Sequence, residues 1–299
     1  MLRPAGGYAL YWAILLFSGI AFGSSFSLFR VAAGSGQGPP GLAFWYSALS
    51  AVLVLGPFLA GKCWRRLNGR VIVFCILWGL LSTAMPSVFF LYAARELPAG
   101  IVALSIALVP MATFAGAVAL RRDRADARRC TGLGLGIAAA LLVLLPETSL
   151  PEREDMPWLL FPFGAVLCYA AEHLYYSIRV PERMPVAGLL FVMFSCTALM
   201  LMPVSLATSG FFLPGWPPAR EEWALAGLAV VTVLDYFLFA FLIARTGPVF
   251  TSQAAYVVTL AGVGWGVLLF GERHSPWVWL ALVLSLAGIF LVRPKGDAA

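Results

Sequence analysis

Ten apolar runs, separated by short stretches rich in charge, proline or glycine, follow one another along the whole chain. They lie near residues 8–31, 40–61, 71–94, 98–120, 131–146, 157–179, 187–208, 223–244, 248–270 and 276–293. About 20 apolar residues suffice to cross roughly 30 Å of hydrocarbon as a helix, whereas a membrane barrel would show alternating segments of about ten. The pattern predicts an all-α polytopic membrane protein with ten transmembrane helices. Several loops are only a few residues long, which leaves no room for a soluble domain. The first run is too long and too rich in Phe for a cleaved signal peptide, so it reads as the first span.

Composition strengthens this picture. Of the 299 residues 61% are hydrophobic and 11% charged, with a mean hydropathy of +0.90, outside the usual mix of a soluble domain. The net charge of +6 does not point to nucleic acid, because the basic residues sit in short loops rather than on a folded domain. With the N-terminus inside, most of the 20 Lys and Arg fall on inner loops and tails, among them Lys62, Arg65, Arg66, Arg121, Arg122, Arg124, Arg183, Arg245 and Lys295. The positive-inside rule therefore places both termini in the cytoplasm. The cysteines show no paired spacing and no Cys-x-x-Cys, so neither a disulfide nor a metal site is expected.

A repeat divides the chain. Ala94-Arg95-Glu96-Leu97-Pro98 recurs as Ala244-Arg245-Thr246-Gly247-Pro248, and at the same offset Gly116 aligns with Gly266. Each copy of Ala-Arg-x-x-Pro separates two apolar runs. Five spans per half turn the second copy over relative to the first, an arrangement common among secondary transporters. The expected units are residues 1–146, an acidic periplasmic connector at 147–156 carrying Glu147, Glu152, Glu154 and Asp155, and residues 157–299.

Three further stretches carry a family resemblance: Tyr92-Ala93-Ala94 before the turn, Leu108-Val109-Pro110 within the fourth span, and Leu269-Phe270-Gly271-Glu272-Arg273-His274-Ser275 before the tenth. The chain resembles the drug/metabolite transporter superfamily, in particular its EamA-like ten-helix exporters. Among these it is most similar in overall character to bacterial exporters of aromatic amino acids. It departs from the pattern where Arg121-Arg122 replaces Gly-Glu in the first half, and where Leu260 stands in place of a second proline. The resemblance implies export of amino acids, aromatic or large apolar ones preferred, across the bacterial inner membrane by alternating access. The alternative within the same fold is efflux of lipophilic cations, drugs or other small metabolites.

Candidate chemistry is sparse and concentrated. Only Glu172 and Asp235 are acids within spans. A carboxylate at the centre of a span costs about 2.5 to 3.5 kcal/mol on insertion scales, so it normally faces a cavity or a partner. Tyr169, Glu172, His173 and Tyr176 share one helical face by their i, i+3, i+4, i+7 spacing. Thr232, Asp235 and Phe239 share another, Ser252, Tyr256 and Thr259 a third with Gln253 beside them, and the third span offers Trp78, Ser82, Met85 and Phe89. Together they predict a small-molecule site of hydroxyl, amide and carboxylate groups with aromatic walls. The bland reading is that the acids fasten helices through His173 or a hydroxyl, and that the aromatic and hydroxyl residues serve ordinary packing.

Other chemistries lack their residues. No span holds a mid-membrane Lys or Arg to receive a phosphate. Gly56-Pro57-Phe58-Leu59-Ala60-Gly61-Lys62 has a phosphate-loop skeleton, but Cys63 follows where Ser or Thr would hold Mg²⁺. ATP is therefore not expected, nor is any cofactor. Gly-x-Ser-x-Gly is absent as well, so no catalytic residue is assigned and the protein is not expected to be an enzyme.

Overall fold

In the computed structural model, residues 6–122, 127–144, 157–273 and 276–291 are described. The acidic connector at 147–156, Arg124, His274 and both tails lie outside them. Every regular element in the described residues is a helix: α1 (Gly6–Ala33), α2 (Pro39–Ala60), α3 (Gly69–Glu96), α4 (Ala99–Ala119), α5 (Ala127–Leu144), α6 (Leu160–Arg179), α7 (Val186–Ala207), α8 (Arg220–Thr246), α9 (Pro248–Phe270) and α10 (Pro276–Leu291). By length and composition α1, α2, α3, α4, α7, α8 and α9 can each cross a membrane.

The helix boundaries follow from local chemistry. Proline opens α2, α9 and α10, where its missing N–H is not needed. Asn68 caps α3, its Oδ1 accepting from the Val71 amide at 3.0 Å. Both Ala-Arg-x-x-Pro copies end one helix and begin the next. In the second copy Gly247, at φ +82°, makes a bend that a side chain would resist. The Gly56–Lys62 stretch is simply the end of α2, followed by a short 3₁₀ turn at Cys63–Arg66.

Helices α3 and α4 are each irregular just before a proline. A π turn at Leu80–Ala84 precedes Met85-Pro86 in α3, and a 3₁₀ turn at Ile106–Leu108 precedes Val109-Pro110 in α4. Pro86 cannot donate to the Ser82 carbonyl one turn earlier; that oxygen instead accepts from the Tyr236 hydroxyl of α8 at 2.9 Å. In a lipid setting such replacement matters, because no water is available to satisfy the freed group. Hydroxyls elsewhere bond back along their own helix, as Ser47, Ser50 and Thr113 do to the carbonyls four residues earlier.

The packing is interleaved. Helix α1 lies along α8 and α9, α2 along α7 and α8, and α4 along α9, with its C-terminal part against α6. Helix α3 packs against α7 with its first part and against α6 with its second, while α5 pairs with α10. Small residues permit the tightest crossings. A Cβ on Gly41 would lie 1.9 Å from the Gly210 carbonyl oxygen, and one on Gly23 would lie 2.6 Å from the Ala261 Cβ. Apolar side chains such as Leu167, Leu199 and Leu268 point outward, which is the inverse of a soluble fold and suits a hydrocarbon surround.

Candidate functional site

A cavity of about 70 Å³ lies at the centre of the bundle. Helices α1 and α4 supply Ser18, Phe22, Ile106 and Val109; α6 supplies Tyr169, Glu172 and His173; α8 supplies Asp235, Tyr236, Phe239 and Leu242. The rest of the wall comes from α9, chiefly Thr251, Ser252, Ala255 and Val258. Both intramembrane acids thus face one space, lined by residues from both halves of the chain.

Each carboxylate is held by a donor on another helix. Glu172, 2% exposed, accepts at Oε1 from the Trp78 indole Nε1 at 2.9 Å. Asp235 accepts at Oδ1 from the Ser18 hydroxyl. His173 does not pair with Glu172: its Nδ1 lies 2.6 Å from the Tyr169 carbonyl oxygen and its ring stands edge-on to Phe239 at 5.1 Å. No lining residue is Lys or Arg among those described. The site is therefore rich in acidic and aromatic groups, a setting suited to an ammonium and an apolar body.

Six of the residues singled out in the sequence line the cavity: Tyr169, Glu172, His173, Asp235, Phe239 and Ser252. Trp78 and Tyr176 stand directly behind them, their rings 4.9 Å apart, with Tyr176 also 5.4 Å from Phe239. Thr232, Gln253 and Tyr256 are buried but outside the lining. Ser82 is turned toward α7, its Oγ 3.3 Å from the Met193 sulfur, and Phe89 packs on Phe161. Met85 is 37% exposed and does not reach the site. The cause is the π turn at Leu80–Ala84, whose wider winding breaks the regular spacing on which Trp78, Ser82, Met85 and Phe89 would share a face.

Among the polar lining residues Ser18, Tyr236 and Thr251 are the additions. Nothing in the first apolar run distinguishes Ser18 from other small polar residues until α1 is seen packed on α8. Tyr236 follows Asp235 directly, and neighbours along a helix point about 100° apart. A cavity wide enough to admit both was not legible from spacing.

A single 70 Å³ space holds a few waters and is well below the roughly 300 Å³ at which small-molecule pockets begin. At the face where α1 and α9 end, Glu272 ties several elements together. It pairs with Arg30 and accepts from the Ala99 and Gly100 amides at 2.9 and 3.0 Å, while the Arg30 guanidinium lies 4.5 Å over the Phe270 ring. The cavity is small, and at this face Glu272 holds the end of α1 and the start of α4 together.

Comparison with known proteins agrees with the architecture. A UPF0060 membrane protein of Acidovorax sp. (strain JS42) is 30% identical over 107 residues, 34% of this chain and 96% of that protein. A solved crystal structure of a protein is 19% identical and superposes with a TM-score of 0.63, covering 93% of this chain and 94% of its own; that likeness concerns the fold. The EamA-like transporter family matches twice, over residues 10–145 and again over 156–293. With one copy of the family's unit in each half of a helical body whose apolar helices can cross a membrane, this chain belongs to the EamA-like transporter family.

Proposed function

We propose that the protein is a secondary exporter carrying amine-bearing, largely apolar small molecules, aromatic and large apolar amino acids foremost, across the bacterial inner membrane by alternating access. The observation that carries this reading is the cavity itself: two carboxylates, hydroxyls and aromatic walls, contributed by residues of both halves. An ammonium would sit between Glu172 and Asp235, and Phe22, Tyr169, Tyr236 and Phe239 would cover the apolar part.

The working parts would be two inverted five-helix repeats, residues 1–146 and 157–299, joined by the connector at 147–156, with α5, α6 and α10 also crossing the membrane and both termini cytoplasmic. Two observations support this. First, the packing survives exchange of the halves: α1 on α9 corresponds to α6 on α4, α1 on α8 to α6 on α3, and α2 on α8 to α7 on α3. The contacts of α2 with α7, α4 with α9 and α5 with α10 map onto themselves. Second, loops assigned to one face meet there. Arg95 donates to the Gln37 carbonyl and Arg30 pairs with Glu272 on the outer side, while Arg66 reaches the Arg183 carbonyl on the inner side.

In liposomes, labelled Phe, Trp or Leu should exchange faster than in empty vesicles, and unlabelled aromatic amino acids should compete. Equal, slow rates for every amino acid would defeat the substrate assignment. The second reading is efflux of lipophilic cations, and the absence of Lys and Arg from the described lining favours it, since an amino-acid carboxylate finds only hydroxyls there. Under that reading quaternary amines exchange and amino acids do not compete.

A further inference from the structure

We propose that the cleft between the α2–α3 and α6–α7 turns binds the phosphate headgroup of an anionic phospholipid. This cleft, about 660 Å³, is separate from the transport cavity and is lined by Arg65, Arg66, Asn68 and Arg183, with Glu182 as its acid. Arg66 Nη1 donates to the Arg183 carbonyl oxygen at 3.0 Å, which ties the two turns into one wall. None of the three arginines is in an ion pair among the described residues, so their charge is available to a ligand with several acceptor oxygens. Guanidinium groups match phosphate oxygens through paired donors.

The surroundings specify a lipid rather than a soluble anion. Trp64 and Leu67, on the same turn as Arg65 and Arg66, are exposed, and Leu59 and Val73 continue an apolar outer face on the flanking helices. Tryptophan and arginine at the end of an apolar helix mark the membrane–water boundary. There a headgroup can enter the cleft while its acyl chains lie along α2 and α3. Basic pockets between helices at this level recognise lipid phosphates. The two turns belong to different halves of the chain, so a bound lipid would bridge the halves on the face opposite Glu272.

Native mass spectrometry of the purified full chain in mixed micelles with phosphatidylglycerol or phosphatidylethanolamine tests the site. Phosphatidylglycerol should be retained and phosphatidylethanolamine lost. The double variant Arg65→Gln/Arg183→Gln leaves the Arg66 side chain and its carbonyl partner in place and should bind phosphatidylglycerol about 30-fold more weakly, from roughly a factor of five per arginine. Arg121→Gln, on a different turn, should have no effect. Equal retention by the double variant, equal retention of phosphatidylethanolamine, or a matching loss in Arg121→Gln would overturn the proposal. Displacement of the lipid by excess inorganic phosphate would also do so, assigning the cleft to a soluble anion.

Discussion

The Trp78 indole on α3 donates to the Glu172 carboxylate on α6 at 2.9 Å, and both side chains are almost fully buried. This single bond joins a helix of the first half to the wall of the cavity and fixes where the carboxylate points. Trp78→Phe keeps a ring beside Tyr176, where the two are tilted at 56°, and removes the donor. A hydrogen bond to a charged group is worth about 1.5–3 kcal/mol, so the half-saturation concentration for an amine substrate should rise roughly tenfold or more. Unchanged counterflow kinetics would show that this hydrogen bond takes no part in binding.

Asp235 is held by Ser18, across the contact of α1 with α8. If its carboxylate exchanges a proton against substrate, Asp235→Asn should abolish accumulation driven by a proton gradient while downhill exchange continues. Glu172→Gln makes the parallel test. Uphill transport retained by both variants would mean that neither acid couples protons to movement.

Glu272 should govern access at the face where α1 and α9 end. Glu272→Gln keeps the size of the side chain but loses the ion pair to Arg30 and the charge at the start of α4, an effect of up to about 2 kcal/mol in a partly buried setting. Val102 lies just inside that helix start and is 2% exposed. In a cysteine-free background, Val102→Cys should react faster with an impermeant maleimide when Glu272→Gln is also present. Equal labelling rates would remove Glu272 from the gate.

Gly41 should tolerate nothing larger. The Gly210 oxygen stands where a methyl would go, so Gly41→Ala forces α2 away from the end of α7, at about 1–3 kcal/mol for overpacking. A lower thermal midpoint and poorer yield are expected. A neutral result would mean that this crossing yields easily.

The sequence made the helices legible because hydrocarbon imposes a simple rule: long apolar runs, broken by charge and proline. It also made one wall of the cavity legible, since Tyr169, Glu172 and His173 sit on an unbroken stretch of α6 where spacing translates directly into a face. The same reasoning failed for Met85, because the irregular turn before Pro86 moved it to the surface. Ser252 reaches the cavity but Tyr256 does not, and α9 is itself irregular at Ser252–Gln253. Ser18 and Tyr236 depend on which helix lies opposite, a matter of tertiary packing that periodicity along one helix cannot express.

The π turn in α3 carries one residue more than a regular α-helical turn would need. That extra residue is why Trp78 and Met85 do not keep the relative directions that an unbroken α-helix would give them. Deleting one residue within Leu80–Ala84 would let the turn close as regular α-helix while both flanks keep their directions, so Trp78 would still meet Glu172, whereas a deletion between Phe74 and Trp78, in regular helix, would rotate the preceding turns by about 100°. The segment is thus a store of slack in the chain: a one-residue deletion inside it should be tolerated better than the same deletion before it.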